Sequence, residues 1–534
     1  MPDLNHFRIR AVRIAYGATV ALFLWVCAQF YIPGEGFTYL VMFGGKNDAR
    51  ALPELHAVDH FIMSDSVGYD GQFYAQIAMH PRLGDRAIKK AVDNLPYRAR
   101  RILFSWTAYA FALGDPVRAL HVYSLQNIIC WLLLAALLLR WFPATSFDHY
   151  LRWAGVLLCF GLCASVRGSL LDGPSLLLIA VAMALAEARR PWLATAVLGL
   201  SGLGKETNVL AGAIFAPDSP RPGRDWLRAV LRWALIVAPV VLWMLVLHQW
   251  IGSGANAGAR NFDWPLAGYV HRWQAAIADL CSSQVRVGAW SLLVLTALSA
   301  QWLFFALRPR WESPWWRLGA AYATLMAFLG DAVWEGFPGA ASRVLLPMAL
   351  AFNILVPRSG KRWFLLLVLG NLTMLLTPLM VDPPQPDSVS IEGPRALRTT
   401  ADGGRSVRVA FDEHWLPPEK SLLEHWRWST GPASIAVWNP QPFATQVDLA
   451  FRLRAKDARR VTVRAAGSAL TEVALRPGEP VDVHVRAVPL PPGRSVVTFD
   501  TDAPPLGDAR RPIAFSVRNL TLTLVTREAA EVAK

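Results

Sequence analysis

The run WALIVAPVVLWMLVLHQWI, residues 233–251, contains no aspartate, glutamate, lysine or arginine. A helix needs about 20 residues to cross the hydrocarbon core of a bilayer, so this run has membrane length. Similar uncharged runs occupy residues 14–32, 119–139, 287–307 and 363–381. Shorter apolar runs lie at 102–114, 153–166, 173–186, 318–330 and 344–357, and the stretch 191–217 is apolar apart from Lys205 and Glu206. The pattern predicts a polytopic α-helical membrane protein with about eleven transmembrane helices.

The distribution of basic residues predicts the orientation of these helices in the membrane. Lysine and arginine are concentrated in the N-terminus and in segments 221–232, 308–317 and 358–362. Short cytoplasmic loops are enriched in these residues, so we place all four segments in the cytoplasm. The first apolar run lacks a following small-residue cleavage site and is interpreted as an uncleaved span. The protein is thus expected in a bacterial inner membrane, and its net charge of +14 is attributed to these loops rather than to a nucleic-acid partner.

The last part of the chain has a different pattern. From residue 382 onward no apolar run approaches membrane length, and residues 447–454, 481–486 and 513–524 alternate between apolar and polar side chains. This is the period of half-buried antiparallel strands. We therefore expect a transmembrane domain over 1–381 and an extracytoplasmic β-sandwich of jelly-roll type over 382–534. Four tryptophans fit the core of that sandwich better than an exposed sugar-binding surface, namely Trp415, Trp426, Trp428 and Trp438.

The predicted outer loop 33–100 carries GYDGQFYAQIA at residues 68–78. The helical spacing of its apolar residues predicts a short interfacial helix, ended by Pro81. Asp70 begins this helix between two glycines that leave room for a substrate. An aspartate at this position is equally well explained as an N-cap, and both interpretations stay open here. Asp65 is either a second acidic contributor, a metal ligand or a solvated loop residue.

Three arginines, Arg98, Arg100 and Arg101, end the same loop. Such a cluster is ordinarily explained as a stop at the lipid headgroups, but the positive-inside bias does not predict it on the outer side. Guanidinium groups offer paired donors to phosphate oxygens, so we assign all three to phosphate binding. A carboxylate beside cations at a membrane interface suits the transfer of a sugar from a lipid phosphate to a hydroxyl. The carboxylate takes the hydroxyl proton, and the cations stabilise the leaving phosphate.

At these residues the sequence resembles the GT-C superfamily of integral-membrane glycosyltransferases, which combine a first span, a long outer loop with an essential acidic residue, and many further spans. The segment YDGQFY at 69–74 looks like the acidic motif of the GPI mannosyltransferase branch. Together with YRARRI at 97–102, it also looks like bacterial proteins of cell-surface glycopolymer formation. Tyr69 replaces the tryptophan of the GPI branch, so mannose specificity is not carried over.

The resemblance implies that Asp70 is the catalytic acidic residue. It also implies that Lys205 in LGKET and Arg343 in SRVLLP contribute to the donor phosphate site. Lys205 is alternatively explained by a simple ion pair with its neighbour Glu206. A different helix count between 140 and 220 would also move Lys205 to the other side of the membrane.

The function implied by the resemblance is an inverting glycosyltransferase that uses a polyprenyl-phosphate sugar donor and an extracytoplasmic glycan or glycolipid acceptor. Two alternatives remain. A transporter or flippase of lipid-linked glycans would be favoured by inverted repeats, which the sequence does not show. A protein O-glycosyltransferase would keep the chemistry and change the acceptor. No cofactor or metal site is assigned, and dependence on a divalent metal is left open.

Overall fold

The computed structural model describes residues 2–32, 35–63, 66–218, 223–252, 258–282, 284–336, 339–380, 389–398, 407–420, 424–507 and 512–525. The chain divides into two compact units. One comprises Met1–Leu55 and His60–Asp382, and the other comprises His56–Asp59 and Pro383–Lys534.

Helices make up most of the first unit, and a short helix, Arg395–Arg398, lies in the second. In chain order the α-helices of the described residues are α1 (Pro2–Ala28), α2 (Pro53–His56), α3 (Gly71–Met79), α4 (Arg86–Ala91), α5 (Leu95–Ala99), α6 (Leu103–Phe111), α7 (Pro116–Leu138), α8 (Phe147–Leu157), α9 (Phe160–Arg167), α10 (Asp172–Glu187), α11 (Pro191–Gly204), α12 (Arg224–Ile251), α13 (Ala267–Leu280), α14 (Val285–Leu307), α15 (Pro314–Ala327), α16 (Asp331–Trp334), α17 (Ala341–Val344), α18 (Leu346–Leu355), α19 (Lys361–Gly370) and α20 (Arg395–Arg398). The same described residues form five 3₁₀ helices, at Thr38–Val41, Gly45–Arg50, Glu206–Phe215, Ala259–Asn261 and Leu372–Leu379.

Helices of membrane length are fewer than the apolar runs. In the described part of the chain, five are long and apolar enough to cross a membrane: Phe7–Ala28, Pro116–Leu138, Arg224–Ile251, Val285–Leu307 and Lys361–Leu379. The pair α8 and α9, bent by 45°, would make a sixth if it forms one span. Each of the remaining predicted runs contains a helix, but none of these helices has the length of a full span. The predicted number of eleven therefore stays a prediction.

Two of the predicted spans have a different structure from the one expected. Helix α6 has only 9 residues, about 14 Å of helix, and is too short to cross a bilayer. It packs beside α7, where the Gln126 amide donates a hydrogen bond of 2.7 Å to the Thr107 hydroxyl. The stretch 191–217, expected as one span, is α11 followed by the 3₁₀ helix Glu206–Phe215.

The 3₁₀ helix reverses the direction of the chain after α11. The Asn208 amide donates back to the carbonyl of Ser201 at 2.9 Å, which closes the turn. Further along, the carbonyls of Thr207 and Ile214 accept hydrogen bonds from Tyr322 and Arg317 of α15. Lys205 therefore stands at the tip of a helical hairpin rather than in the middle of a straight span.

Helix α3 is buried along its whole length, from Gly71 to Met79. The predicted helix is therefore present, and it packs against protein along its length, while its predicted position at the bilayer surface stays a prediction. Two glutamines explain how a polar sequence can be buried here. The side-chain oxygen of Gln72 accepts from the Gly44 N–H at 3.2 Å, and that of Gln76 accepts from the Leu52 N–H at 2.9 Å. These amides satisfy backbone groups of the preceding loop, which anchors the loop to α3.

Close backbone contacts fix the position of α3. A Cβ atom added to Gly71 would lie 2.3 Å from the carbonyl oxygen of Gly168, just after α9. We expect Gly71→Ala to destabilise the protein by about 1–3 kcal/mol, because this contact cannot relax without moving backbone. Gly17→Ala is the matched control, since nothing lies within 4 Å of its added Cβ. Thermal unfolding in detergent measures both, and equal melting temperatures would contradict the packing argument.

The second unit is rich in β-structure. The strands found in the described residues are β1 (Phe43–Gly44) and β2 (Ile62–Met63) in the first unit, then β3 (Val389–Glu392), β4 (Arg408–Phe411), β5 (Glu419–Lys420), β6 (His425–Trp428), β7 (Ala433–Asn439), β8 (Thr445–Ala455), β9 (Arg459–Ala465), β10 (Ser468–Leu475), β11 (Val481–Leu490), β12 (Gly493–Thr501) and β13 (Phe515–Val525). One sheet has the order β10-β9-β12-β7-β4, and the other has β11-β8-β13-β6-β5 with β3 parallel to β13. Strands β8 and β11 contain the segments 447–454 and 481–486 that the sequence singled out, and β13 contains all of 513–524 except its first two residues.

The tryptophans of this unit divide into two pairs. Trp415 and Trp428 are buried, and the Trp415 ring lies 5.6 Å from that of Phe499 in the core. Trp426 and Trp438 are half-buried and lie under arginine side chains of neighbouring strands. The core position that the sequence favoured therefore holds for Trp415 and Trp428.

Candidate active site

Asp70 lies directly before α3, at the end of a tight loop. Gly68 adopts a φ of 73°, a left-handed conformation that favours glycine, and its amide donates to the Ser66 hydroxyl at 2.9 Å. The Asp70 carboxylate makes no capping hydrogen bond to α3, although the residue occupies the N-cap position. Its side chain is 40% exposed. The N-cap interpretation of Asp70 is therefore wrong, and the carboxylate is available for another role.

Arg98 orients the Asp70 carboxylate. Its Nη2 donates to Asp70 at 2.9 Å, while Nε and Nη2 donate to both oxygens of Asp93 at 3.0 and 2.8 Å. The guanidinium lies over the Phe73 ring at 5.0 Å, and the side chain is only 9% exposed. Burial by itself lowers the pKa of Arg98, but the hydrogen bonds to Asp93 and Asp70 outweigh it and raise that pKa above its ordinary value. Arg98 is thus a permanently charged clamp on two carboxylates.

Arg101 joins the loop to the helical hairpin. Its Nε donates to Glu206 at 2.8 Å, and its two amino groups donate to the hydroxyls of Tyr74 at 3.3 Å and Tyr97 at 3.0 Å. Every nitrogen of this guanidinium therefore has a protein partner. Because Glu206 pairs with Arg101, the simple ion pair between Lys205 and Glu206 that the sequence left open is not formed.

Lys205 and Arg343 share one carboxylate that the sequence analysis did not assign. Lys205 donates to Oδ1 of Asp172, and Arg343 donates to Oδ2 of the same residue at 3.3 Å. The second amino group of Arg343 donates to the hydroxyl of Tyr69 at 3.0 Å, and Tyr69 precedes Asp70 in the chain. These contacts place Lys205 and Asp172 on the same side of the helices as Asp70. A lone carboxylate at the start of an apolar run was the sequence signal for Asp172.

Backbone packing and hydrogen bonds hold Arg343 and its partner Asp172 in place. A Cβ atom on Gly161 of α9 would lie 2.4 Å from the carbonyl of Ser342, so α9 and α17 approach closely beside Arg343. At the start of α10, the Ser165 hydroxyl accepts from the Gly173 N–H at 2.8 Å. The Asn127 amide also donates to the carbonyl of Leu170 at 2.8 Å. Asp172 is therefore held by hydrogen bonds on both sides of it in the chain.

Arg100 differs from its neighbours. Its guanidinium lies 6.0 Å from the Tyr97 ring, and within the described ranges no carboxylate pairs with it. The site as a whole contains five cations and four carboxylates, namely Arg98, Arg100, Arg101, Lys205 and Arg343 with Asp70, Asp93, Asp172 and Glu206. The cations outnumber the carboxylates by one, which leaves one positive charge for an anionic ligand.

The structure thus brings together the predicted residues from three distant parts of the chain. Asp65, the proposed second acidic residue, lies outside the described residues. Sequence reasoning missed Asp172, Asp93 and Tyr69, and the ion pair with Lys205 that it left open for Glu206 is replaced by one with Arg101. No group of three or more histidine, cysteine or acidic side chains with metal-binding geometry occurs in the described part of the chain.

Helices of membrane length and a β-rich second unit define a multi-pass membrane protein. No protein-family model and no curated protein matches the sequence. Among solved structures, the chain is similar to the cryo-EM structure of arabinosyltransferase EmbB from Mycobacterium smegmatis, with 13% identity and a TM-score of 0.31. The match covers 95% of this chain and 64% of the other, so the chain spans less than two thirds of that protein's length. At this TM-score the activity has to be inferred from the site itself.

Proposed function

We propose that this protein is a membrane glycosyltransferase that moves a sugar from a polyprenyl-phosphate donor to an extracytoplasmic acceptor, with inversion at the anomeric carbon. The transmembrane domain 1–381 carries the reaction, and the β-rich domain 382–534 lies outside the cytoplasm. The acceptor is a cell-surface polysaccharide or a glycolipid. The protein is placed in the inner membrane with its N-terminus in the cytoplasm, because its short basic segments favour that side.

The reaction joins an acceptor hydroxyl oxygen to the anomeric carbon of the sugar. As that bond forms, the bond from the anomeric carbon to the phosphate oxygen breaks, and its electron pair stays on the polyprenyl phosphate. The hydroxyl proton passes to the carboxylate of Asp70, which acts as general base. Cations beside the phosphate stabilise the charge that grows on it. Because the lipid anchor confines the donor to the interface, the encounter has a lower entropic cost.

One observation supports this proposal above the others. The Asp70 carboxylate is exposed, makes no helix cap, and is held by a buried arginine beside a cluster of cations. A carboxylate with only a structural role would be expected to bond the free N–H groups of α3. Here it is oriented and left accessible, as a base that must reach a substrate proton requires.

The contacts divide the predicted phosphate ligands into two groups, residues that position other side chains and residues that bind the donor phosphate. Arg98 and Arg101 already donate to carboxylates and tyrosines, so we assign them to positioning. Among the residues that the structure describes, Arg100 has no carboxylate partner, and Lys205 and Arg343 share a single one. We therefore assign donor phosphate binding chiefly to Arg100, Lys205 and Arg343. No divalent metal is needed for the charge balance of this arrangement.

Arg100→Ala tests the phosphate assignment. We expect the KM for the lipid-linked donor to rise roughly tenfold or more, because a charge-assisted hydrogen bond to phosphate is lost. The kcat should change little if the contact is equally strong in the ground state and the transition state. Arg82→Ala, at an exposed arginine of the same loop, is the matched control and should leave both constants unchanged. An equal response of the two variants would remove Arg100 from the donor site.

A further inference from the structure

Asp172 occupies an unusual position among the carboxylates of the site. Its side chain is 7% exposed, and each of its oxygens accepts from a different cation, Lys205 on one side and Arg343 on the other. Lys205 comes from the tip of the helical hairpin and Arg343 from α17, so the carboxylate joins two segments that are distant in the chain. Both cations are 12% exposed.

The charge of the ligand changes during the proposed reaction. A sugar joined to a polyprenyl phosphate is a phosphodiester with one negative charge. When the bond to the anomeric carbon breaks, the leaving group becomes a phosphomonoester, which carries about −1.5 to −2 at pH 7. Cations that stabilise the transition state therefore also bind the product more tightly than the donor. Release of such a product can limit turnover.

We propose that Asp172 is a positioning residue that competes with the phosphate for Lys205 and Arg343 and thereby permits release of the polyprenyl phosphate product. This inference rests on the proposed function. The carboxylate holds both cations in place and offsets part of their charge. Its second cation, Arg343, also contacts Tyr69 beside the base, so the product phosphate and Asp70 belong to one continuous site.

Asp172→Asn distinguishes this role from a structural one, because the two predict opposite changes. If Asp172 offsets charge, the inhibition constant of farnesyl phosphate, a short prenyl monophosphate, should fall roughly tenfold in the variant. The kcat should fall as well, because release becomes slower, and donor KM should not rise. If Asp172 only supports the fold, product binding should weaken or stay unchanged and donor KM should rise. Either of those outcomes overturns the proposal.

Removal of the carboxylate leaves two largely buried cations without a counter-charge, so Asp172→Asn can fail to fold. A second pair of variants keeps the test decisive. It compares Lys205→Gln with the double variant Lys205→Gln and Asp172→Asn, and both lack one of the two cations that would otherwise be left without a counter-charge. The double variant should bind farnesyl phosphate more tightly than Lys205→Gln alone. Equal affinities in this pair would overturn the proposal.

Two controls separate this inference from the proposed function. Asp148→Asn removes a carboxylate from the buried Arg152, which also bonds the backbone of α18 and lies outside the site; it should leave farnesyl phosphate inhibition unchanged. Inorganic phosphate is tested beside farnesyl phosphate to show whether the lipid chain contributes. If the wild-type protein binds no prenyl phosphate, the proposed function itself fails. If it binds and the Asp172 variants do not differ as stated, only the present inference fails.

Discussion

We expect Asp70→Asn to reduce sugar transfer by about two to four orders of magnitude, the usual contribution of a general base. Asparagine has nearly the same shape and can still accept the hydrogen bond from Arg98, which measures 2.9 Å in the native protein. It cannot take the proton of the acceptor hydroxyl. The melting temperature should therefore stay close to that of the wild type while kcat falls.

Asp93→Asn is the comparison that makes this result specific. Asp93 shares the Arg98 clamp with Asp70 and is exposed to a similar extent, 43% against 40%. Its replacement should lower kcat only a few-fold, because the clamp loosens but the base remains. A larger loss in Asp93→Asn than in Asp70→Asn would move the role of base from Asp70 to Asp93.

The second large effect is expected for Arg98→Lys. An ammonium group keeps the charge but cannot bond Asp70 and Asp93 through separate nitrogens in a fixed plane. We expect kcat to fall roughly 10- to 100-fold, because a small displacement of the base has a large effect on the rate. Donor KM should remain near the wild-type value, since Arg98 is assigned to Asp70 and not to the phosphate. Steady-state kinetics over a range of donor concentrations measures the two constants separately.

A change in donor KM instead of kcat would restore the assignment of Arg98 to phosphate binding. If donor KM rises strongly while kcat is unchanged, its guanidinium binds the phosphate as the sequence first indicated. Arg98→Met adds a stability measurement, because it leaves two carboxylates without their cation. It should lower the free energy of unfolding by about 1–3 kcal/mol, the range for a lost hydrogen bond to a charged group.

The sequence identified Asp70 because it combines an acidic residue, two glycines and a long loop between apolar runs. It could not show whether the carboxylate caps α3, because that depends on the side-chain torsions and on Arg98, which lies 28 positions further along. The burial of α3 was missed for a related reason. Gln72 and Gln76 look like a polar surface in the sequence, and only the loop groups that they bond make their burial favourable.

Hydropathy also could not show the turn at Lys205. The stretch 191–217 has the composition of one long span, and two residues, Lys205 and Glu206, are a small interruption in it. Only their partners, Asp172 and Arg101, explain why the chain reverses there. Contacts between residues that are distant in the chain carry no periodic signal, so Asp172 stayed unassigned. Three strands of the second unit, β8, β11 and β13, were predicted because alternation is a local pattern.

The most direct test compares cells that carry the wild-type protein, the Asp70→Asn variant or no copy of it. Mass spectrometry of their polyprenyl-phosphate sugars and cell-surface glycans follows the donor and the product together. We predict that one polyprenyl-phosphate sugar accumulates, and one sugar is missing from a surface glycan, in both the variant and the cells without the protein. The wild-type protein should restore both. Identical donors and glycans in the Asp70→Asn and wild-type cells would contradict the proposed transfer reaction at this site.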